Sequence, residues 1–183
     1  MIRLLCFIII TVYLMYVSRK MLLRPNSHGF YRFFAWEFIL VLVLLNAPYW
    51  LKNPFSSIYQ VISGLLLLIS IFLVVQGVHL LKVIGKPNQS RSDDELFAFE
   101  KTSKLVTVKA YKYIRHPLYS SLLFLAWGAF FKHPSLLAMA LVFTASFFLV
   151  LTAKKDESEC MKYFGQEYQT YMLGTKKFIP FLF

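Results

Sequence analysis

From Asn53 to Leu81 the chain runs 29 residues without an Asp, Glu, Lys or Arg. A helix needs only about 20 apolar residues to cross the hydrocarbon core of a bilayer, so this stretch alone directs the fold into a membrane. Four more stretches repeat the pattern: residues 4–18, 116–131 and 133–153 carry no charge, and 33–51 carries only Glu37. The second, third and fifth of the five are long enough to span directly. The first is short and is lengthened by Arg3 and Arg19 snorkelling outward, and the fourth is entered through His116 and Pro117. Ser18-Arg19-Lys20 follows the first stretch where a signal peptide would show a small-residue cleavage site, so it reads as a retained span. The composition, 58% hydrophobic and 16% charged, leaves too little polar surface for a soluble domain, which carries about 25% charged residues. The expected fold is an all-α integral membrane protein of about five transmembrane helices. Residues 1–80 hold the first three spans, the third continuing to about 84, and 81–183 hold the last two and a C-terminal tail.

The charges orient it. A net charge of +11 would suit nucleic acid if it formed one stripe, but the basic residues bracket the apolar runs, as they do around membrane spans. On alternating loops, 17 of the 20 fall on one side: Arg19, Lys20, Arg24 and Arg32 in the first loop, eight from Lys82 to Arg115 in the third, and five in the tail. Arg3, Lys52 and Lys132 remain on the other. This asymmetry predicts N-terminus out and C-terminus in, and Tyr49 and Trp50 mark the outer end of the second span. Eight of the nine acidic residues then gather at the cytosolic face. Glu37, inside the second span, reads as a carboxylate paired with a nearby Arg or Lys, or else as a pocket residue. Gln76 and His79, three apart, share a face of the third span and read as glue between helices, with substrate contact as the other reading. Cys6 and Cys160 form neither a disulfide framework nor a metal-ligand spacing, so no metal is expected.

Nucleotide, hydrolase and metalloprotease motifs are absent. The chain does hold Tyr111-Lys112-Tyr113-Ile114-Arg115-His116-Pro117-Leu118-Tyr119. Pro117 suits the first turn of a helix, which places Arg115 and His116 at a helix N-terminus where free N–H groups attract an anion. Taken alone, such residues also serve to anchor a span to headgroups. The fifth span continues unbroken through Asp156 and Glu157 to Gly165, a natural helix stop. Arg115 and Glu157 at one depth offer a cation for a carboxylate and an anion for an ammonium, or else they pair with each other.

Together, Tyr-x-x-x-Arg-His-Pro-x-Tyr at 111–119, the acidic pair 156–157, Phe164-Gly165-x-x-Tyr168-x-x-Tyr171 and Phe178-Ile179-Pro180 resemble the isoprenylcysteine carboxyl methyltransferase and phospholipid methyltransferase superfamily over roughly residues 80–183. The resemblance implies S-adenosylmethionine as cofactor, a lipophilic methyl acceptor, and a cytosolic-face pocket built from the third loop, the start of the fourth span and the helical tail. On it, Arg115 takes the methionine carboxylate, Glu157, beside Asp156, the ammonium, and His116 a polar contact to cofactor or acceptor, while Tyr111, Tyr119 and Tyr168 wall the cavity. The aromatic segment from Tyr163 to the C-terminus either caps that pocket or simply anchors at the interface. Three departures stand out: Lys109 where the family has Gly, Ser121 where it has Gly, and Asp156 where it has Glu. Two rival readings are an NADPH-dependent membrane reductase of the related sterol and steroid type, and a non-catalytic protein of the same fold that binds a lipid or partner. Asp93, Asp94 and Glu95 near Arg91 read as a solvated connection.

Overall fold

The computed structural model describes residues 1–51, 57–87 and 96–182, and the 91–95 connection lies outside them. Seven α-helices and no strand occur among the described residues: α1 Ile2–Leu22, α2 His28–Leu45, α3 Ile58–Val83, the short α4 Ala110–Tyr113, α5 Pro117–Lys132, α6 Leu136–Phe164 and α7 Gln166–Gly174. Of these, α1, α2, α3 and α6 are long and apolar enough to cross a membrane. α5, the expected fourth span, has 16 residues and reaches about 24 Å.

Local chemistry sets the boundaries. Ser27, Ser57 and Ser135 cap α2, α3 and α6, each side chain accepting a backbone N–H three residues on. Pro117 opens α5. Gly165, with φ +59°, ends α6 and starts α7.

Alanines and aliphatic residues of α2, α5 and α6 form the core, with Ala35, Leu42, Ala126, Ala129, Ala138, Val142, Ala145 and Leu149 buried. Small residues let membrane helices approach closely. α3 packs on α5 through polar contacts that repeat along one face. Gln60 Nε2 donates to Lys132 O at 2.8 Å, Ser63 Oγ to Gly128 O at 2.8 Å and Ser70 Oγ to Ser121 O at 2.7 Å. Of the pair expected to join helices, Gln76 does so at another seam and His79 does not. Gln76 Oε1 accepts from Ala110 N at 3.1 Å, which ties α3 to the start of α4, and His79 is exposed. Glu37 also departs from the sequence reading, because Thr11 of α1 donates to its Oε2 at 2.8 Å. Nine residues into α2, about 13 Å from its start, the acid lies on the α1–α2 seam, away from loop cations. Arg32, counted with the first loop, is buried inside α2.

At the end of the bundle opposite the 111–119 motif, the Tyr49 ring stacks on His133 at 3.9 Å and Lys132 Nζ lies 5.8 Å from the Trp50 ring.

Candidate active site

Two segments sixty residues apart are joined by backbone. Ile114 and Lys176 form a parallel bridge. Lys176 N donates to Tyr113 O at 3.0 Å, Arg115 N to Lys176 O at 2.7 Å and His116 N to Lys177 O at 3.2 Å. Ser120 Oγ adds a bond to Phe178 O at 2.8 Å. The tail is thus pinned across the entry to α5, and Phe178 is buried against the His116 and Tyr119 side of the core.

That junction brings the sequence-predicted cation and acid together. Arg115 Nε donates to Glu157 Oε1 at 2.9 Å, and its Nη1 donates to Met172 O at 3.2 Å and to Thr175 O. Lys177 Nζ lies 2.9 Å from the other Glu157 oxygen. His116 places Nδ1 3.3 Å from Asp156 Oδ2, with Nε2 3.5 Å from Glu157 Oε1 and in no hydrogen bond. Its ring is stacked on Tyr119 with centroids 5.3 Å apart. Burial pulls the His116 pKa down, but the Asp156 and Glu157 carboxylates outweigh it and hold the pKa above the usual histidine value. Tyr111, Tyr168 and Tyr171 are pushed above the ordinary phenol range, chiefly by burial, so all three are neutral donors. Tyr171 uses its hydroxyl to hold Tyr111 O at 2.6 Å.

Beside these contacts opens a cavity of about 380 Å³, inside the range of small-molecule sites. Tyr111, Arg115, His116, Tyr119, Asp156 and Tyr168 all line it. Glu157 does not. Successive helical residues point about 100° apart, so with Asp156 on the cavity Glu157 turns behind the wall toward Arg115 and Lys177. Tyr163, Phe164 and Tyr171 complete an aromatic side. Of the three departures from the family pattern, Lys109 sits in a left-handed conformation, φ +53°, beside the motif. Ser121 is buried and bonds back to Leu118 O at 2.6 Å.

The cavity also holds residues that motif reading passed over. Glu159 lines it, three residues after Asp156 and so on the same helix face, a spacing that signalled it. Glu100 lines it from the third loop, where nothing in the sequence marked it. Behind Glu159 is the buried His28, whose backbone N donates to Oε1 at 3.1 Å and whose Nδ1 hydrogen-bonds Oε2. One ligand atom each from His28, Asp156 and Glu159 falls within 4.8 Å of the others. His28 Nδ1 is hydrogen-bonded to Glu159, and its Nε2 is buried without a hydrogen-bond partner.

No protein-family model, curated protein or solved structure matches this chain.

Proposed function

We propose that this protein is an integral membrane methyltransferase that uses S-adenosylmethionine to methylate a lipophilic acceptor at the cytosolic face, with about five spans, its N-terminus outside and its C-terminus inside. One observation carries the reading: six motif residues, drawn from two parts of the chain, line one cavity of about 380 Å³ with mixed charge and aromatic walls.

The donor set suits a zwitterion joined to a sulfonium. Arg115 faces the cavity as a cation, Asp156 and Glu159 face it as anions, and the rings of Tyr111, Tyr119 and Tyr168 offer π faces that attract a positive centre. Arg115 would take the carboxylate, and Asp156 the ammonium in place of Glu157. Glu157, tied to Arg115 and Lys177, fixes the guanidinium in one orientation. S-adenosylmethionine held there would supply an activated sulfonium methyl for the acceptor's lone pair, the carbon–sulfur electron pair being left on sulfur. The protein's own work is to align the two reactants and exclude water. The tail pinned over Arg115 and the tyrosine side chains of α7 serve both ends.

The test is binding to purified protein in nanodiscs. S-adenosylmethionine is expected to saturate one site and NADPH to show none. No measurable affinity for the former removes the reading, and affinity for NADPH alone turns it to a reductase. Transfer of a labelled methyl into a total lipid extract then identifies the acceptor.

A further inference from the structure

α2 contributes nothing to the motif, yet its first two turns reach the cavity wall. Arg32 is 2% exposed, and its Nη1 donates to Glu100 Oε1 at 2.6 Å. The guanidinium carbon lies 4.5 Å from the Phe97 ring and 5.2 Å from the Trp36 ring. The second Glu100 oxygen accepts the Phe97 N–H at 3.0 Å. A charge withdrawn from water is costly unless paired, and this pair joins a membrane helix to a loop.

The loop in question builds the wall. Leu96, Glu100, Thr102, Leu105 and Val106 all line the cavity. Its far end is fastened to the end of α3, where Ser103 N donates to Gly85 O at 2.9 Å. Thr102 packs so closely there that a Cβ on Gly85 would meet its Cγ2 at 2.4 Å. The near end is fastened by Arg32. One turn earlier on the same face of α2, His28 holds Glu159 in the same manner.

We infer that Arg32 is a positioning residue of the cavity, holding the 96–106 segment closed over it through Glu100. What the segment encloses rests on the methyltransferase reading, whereas the way it is held does not.

Cys160 lines the cavity and is in no disulfide, so its modification by a water-soluble maleimide reports on closure. In the Cys6→Ser background in nanodiscs, Arg32→Met and Glu100→Gln are each expected to speed Cys160 labelling about tenfold, and the double variant no further than the faster single, because the two side chains form one latch. Unchanged rates in both singles, or additive increases, overturn the inference. Should Arg32→Met fail to fold, Glu100→Gln, which keeps its size and the Phe97 acceptor, decides alone by the same rate. A Ser63→Cys thiol, between α3 and α5, is expected to stay protected in these variants; its exposure together with Cys160 would mean that the helices had separated, and overturns the latch as well. Protection of wild-type Cys160 by S-adenosylmethionine, measured on the same sample, reads on the cofactor. If it fails while the rates behave as expected, the cofactor is wrong and the latch stands.

Discussion

Lys109 and Gly165 adopt nearly the same backbone conformation, φ +53° ψ −121° and φ +59° ψ −130°. Glycine enters this region freely, whereas a side chain costs about 1–3 kcal/mol there. The departure at 109 therefore carries strain beside the motif. Lys109 is exposed and a Cβ at Gly165 meets nothing within 4 Å, so backbone preference alone decides both substitutions. Lys109→Gly is expected to stabilise the protein by about 1 kcal/mol and Gly165→Ala to destabilise it by about as much, read from thermal unfolding in detergent; the same sign for both would discount strain. Asp156→Asn is expected to weaken S-adenosylmethionine binding by about 1.5–3 kcal/mol, the scale of a hydrogen bond to a charged group. Unchanged affinity would move the ammonium site to Glu159. His116 adds a pH dependence. Its folded-state pKa is raised by the two carboxylates, so its contribution to stability is complete below the unfolded value of about 6.5 and is lost as pH rises through the folded value. The melting temperature of wild type should fall across that alkaline limb more steeply than that of His116→Asn, and parallel slopes would contradict the pairing.

Among the elements, α3 and α5 are held by a seam in which polar side chains meet carbonyls and a glycine admits its neighbour. A Cβ at Gly128 would stand 2.9 Å from Leu67 Cγ and Cδ2, so Gly128→Val overfills the seam and is expected to cost about 1–3 kcal/mol. Ser63→Ala, which removes a donor from the same seam, should cost only about 0.6 kcal/mol, the average for such bonds inside membranes. If the order is reversed in thermal unfolding, hydrogen bonding and not close packing holds these helices. The seam marks where sequence reading ran out. Charge-free runs, Pro117 and Gly165 locate the helices because each acts within its own segment. Which face of α3 meets α5 depends on pairs 51–72 residues apart; of the two residues chosen for spacing alone, Gln76 joins α3 to α4 instead and His79 is exposed. The site divides in the same way. The motif and the acidic pair were legible as short patterns, whereas Glu159 had only its three-residue spacing from Asp156 to mark it and went unassigned. Arg32 looked like a loop cation because its partner, Glu100, lies 68 residues away. Glu157 was assigned to the cavity because one dimension of sequence does not show which of two adjacent acids turns inward.

At the scale of the molecule, α6 sets the distance between the two polar ends. Its 29 residues reach about 43 Å, more than the roughly 30 Å hydrocarbon core, so the helix holds its Ser135 end and its Gly165 end in different aqueous phases when it spans. The cavity, the pinned tail and α7 all belong to the Gly165 end. The opposite end carries Lys132, His133 and the Tyr49 and Trp50 rings. The excess of basic residues on the cavity end is the ground on which we propose that this end faces the cytosol, and the proposed reaction needs it there, because a polar cofactor has to enter from the cytosol. Pro134 and Gln169 are both exposed and sit at opposite ends, which makes them suitable reporters. In a chain with Cys6→Ser and Cys160→Ser, a membrane-impermeant maleimide added to intact cells is expected to label Pro134→Cys at once and Gln169→Cys only after permeabilisation. Labelling of Gln169→Cys alone from outside would invert the molecule, place the cavity beyond the reach of cytosolic cofactor and withdraw the methyltransferase reading. Labelling of both would mean that α6 lies along the membrane, and the cavity would then have to be understood as a site on one surface of the bilayer.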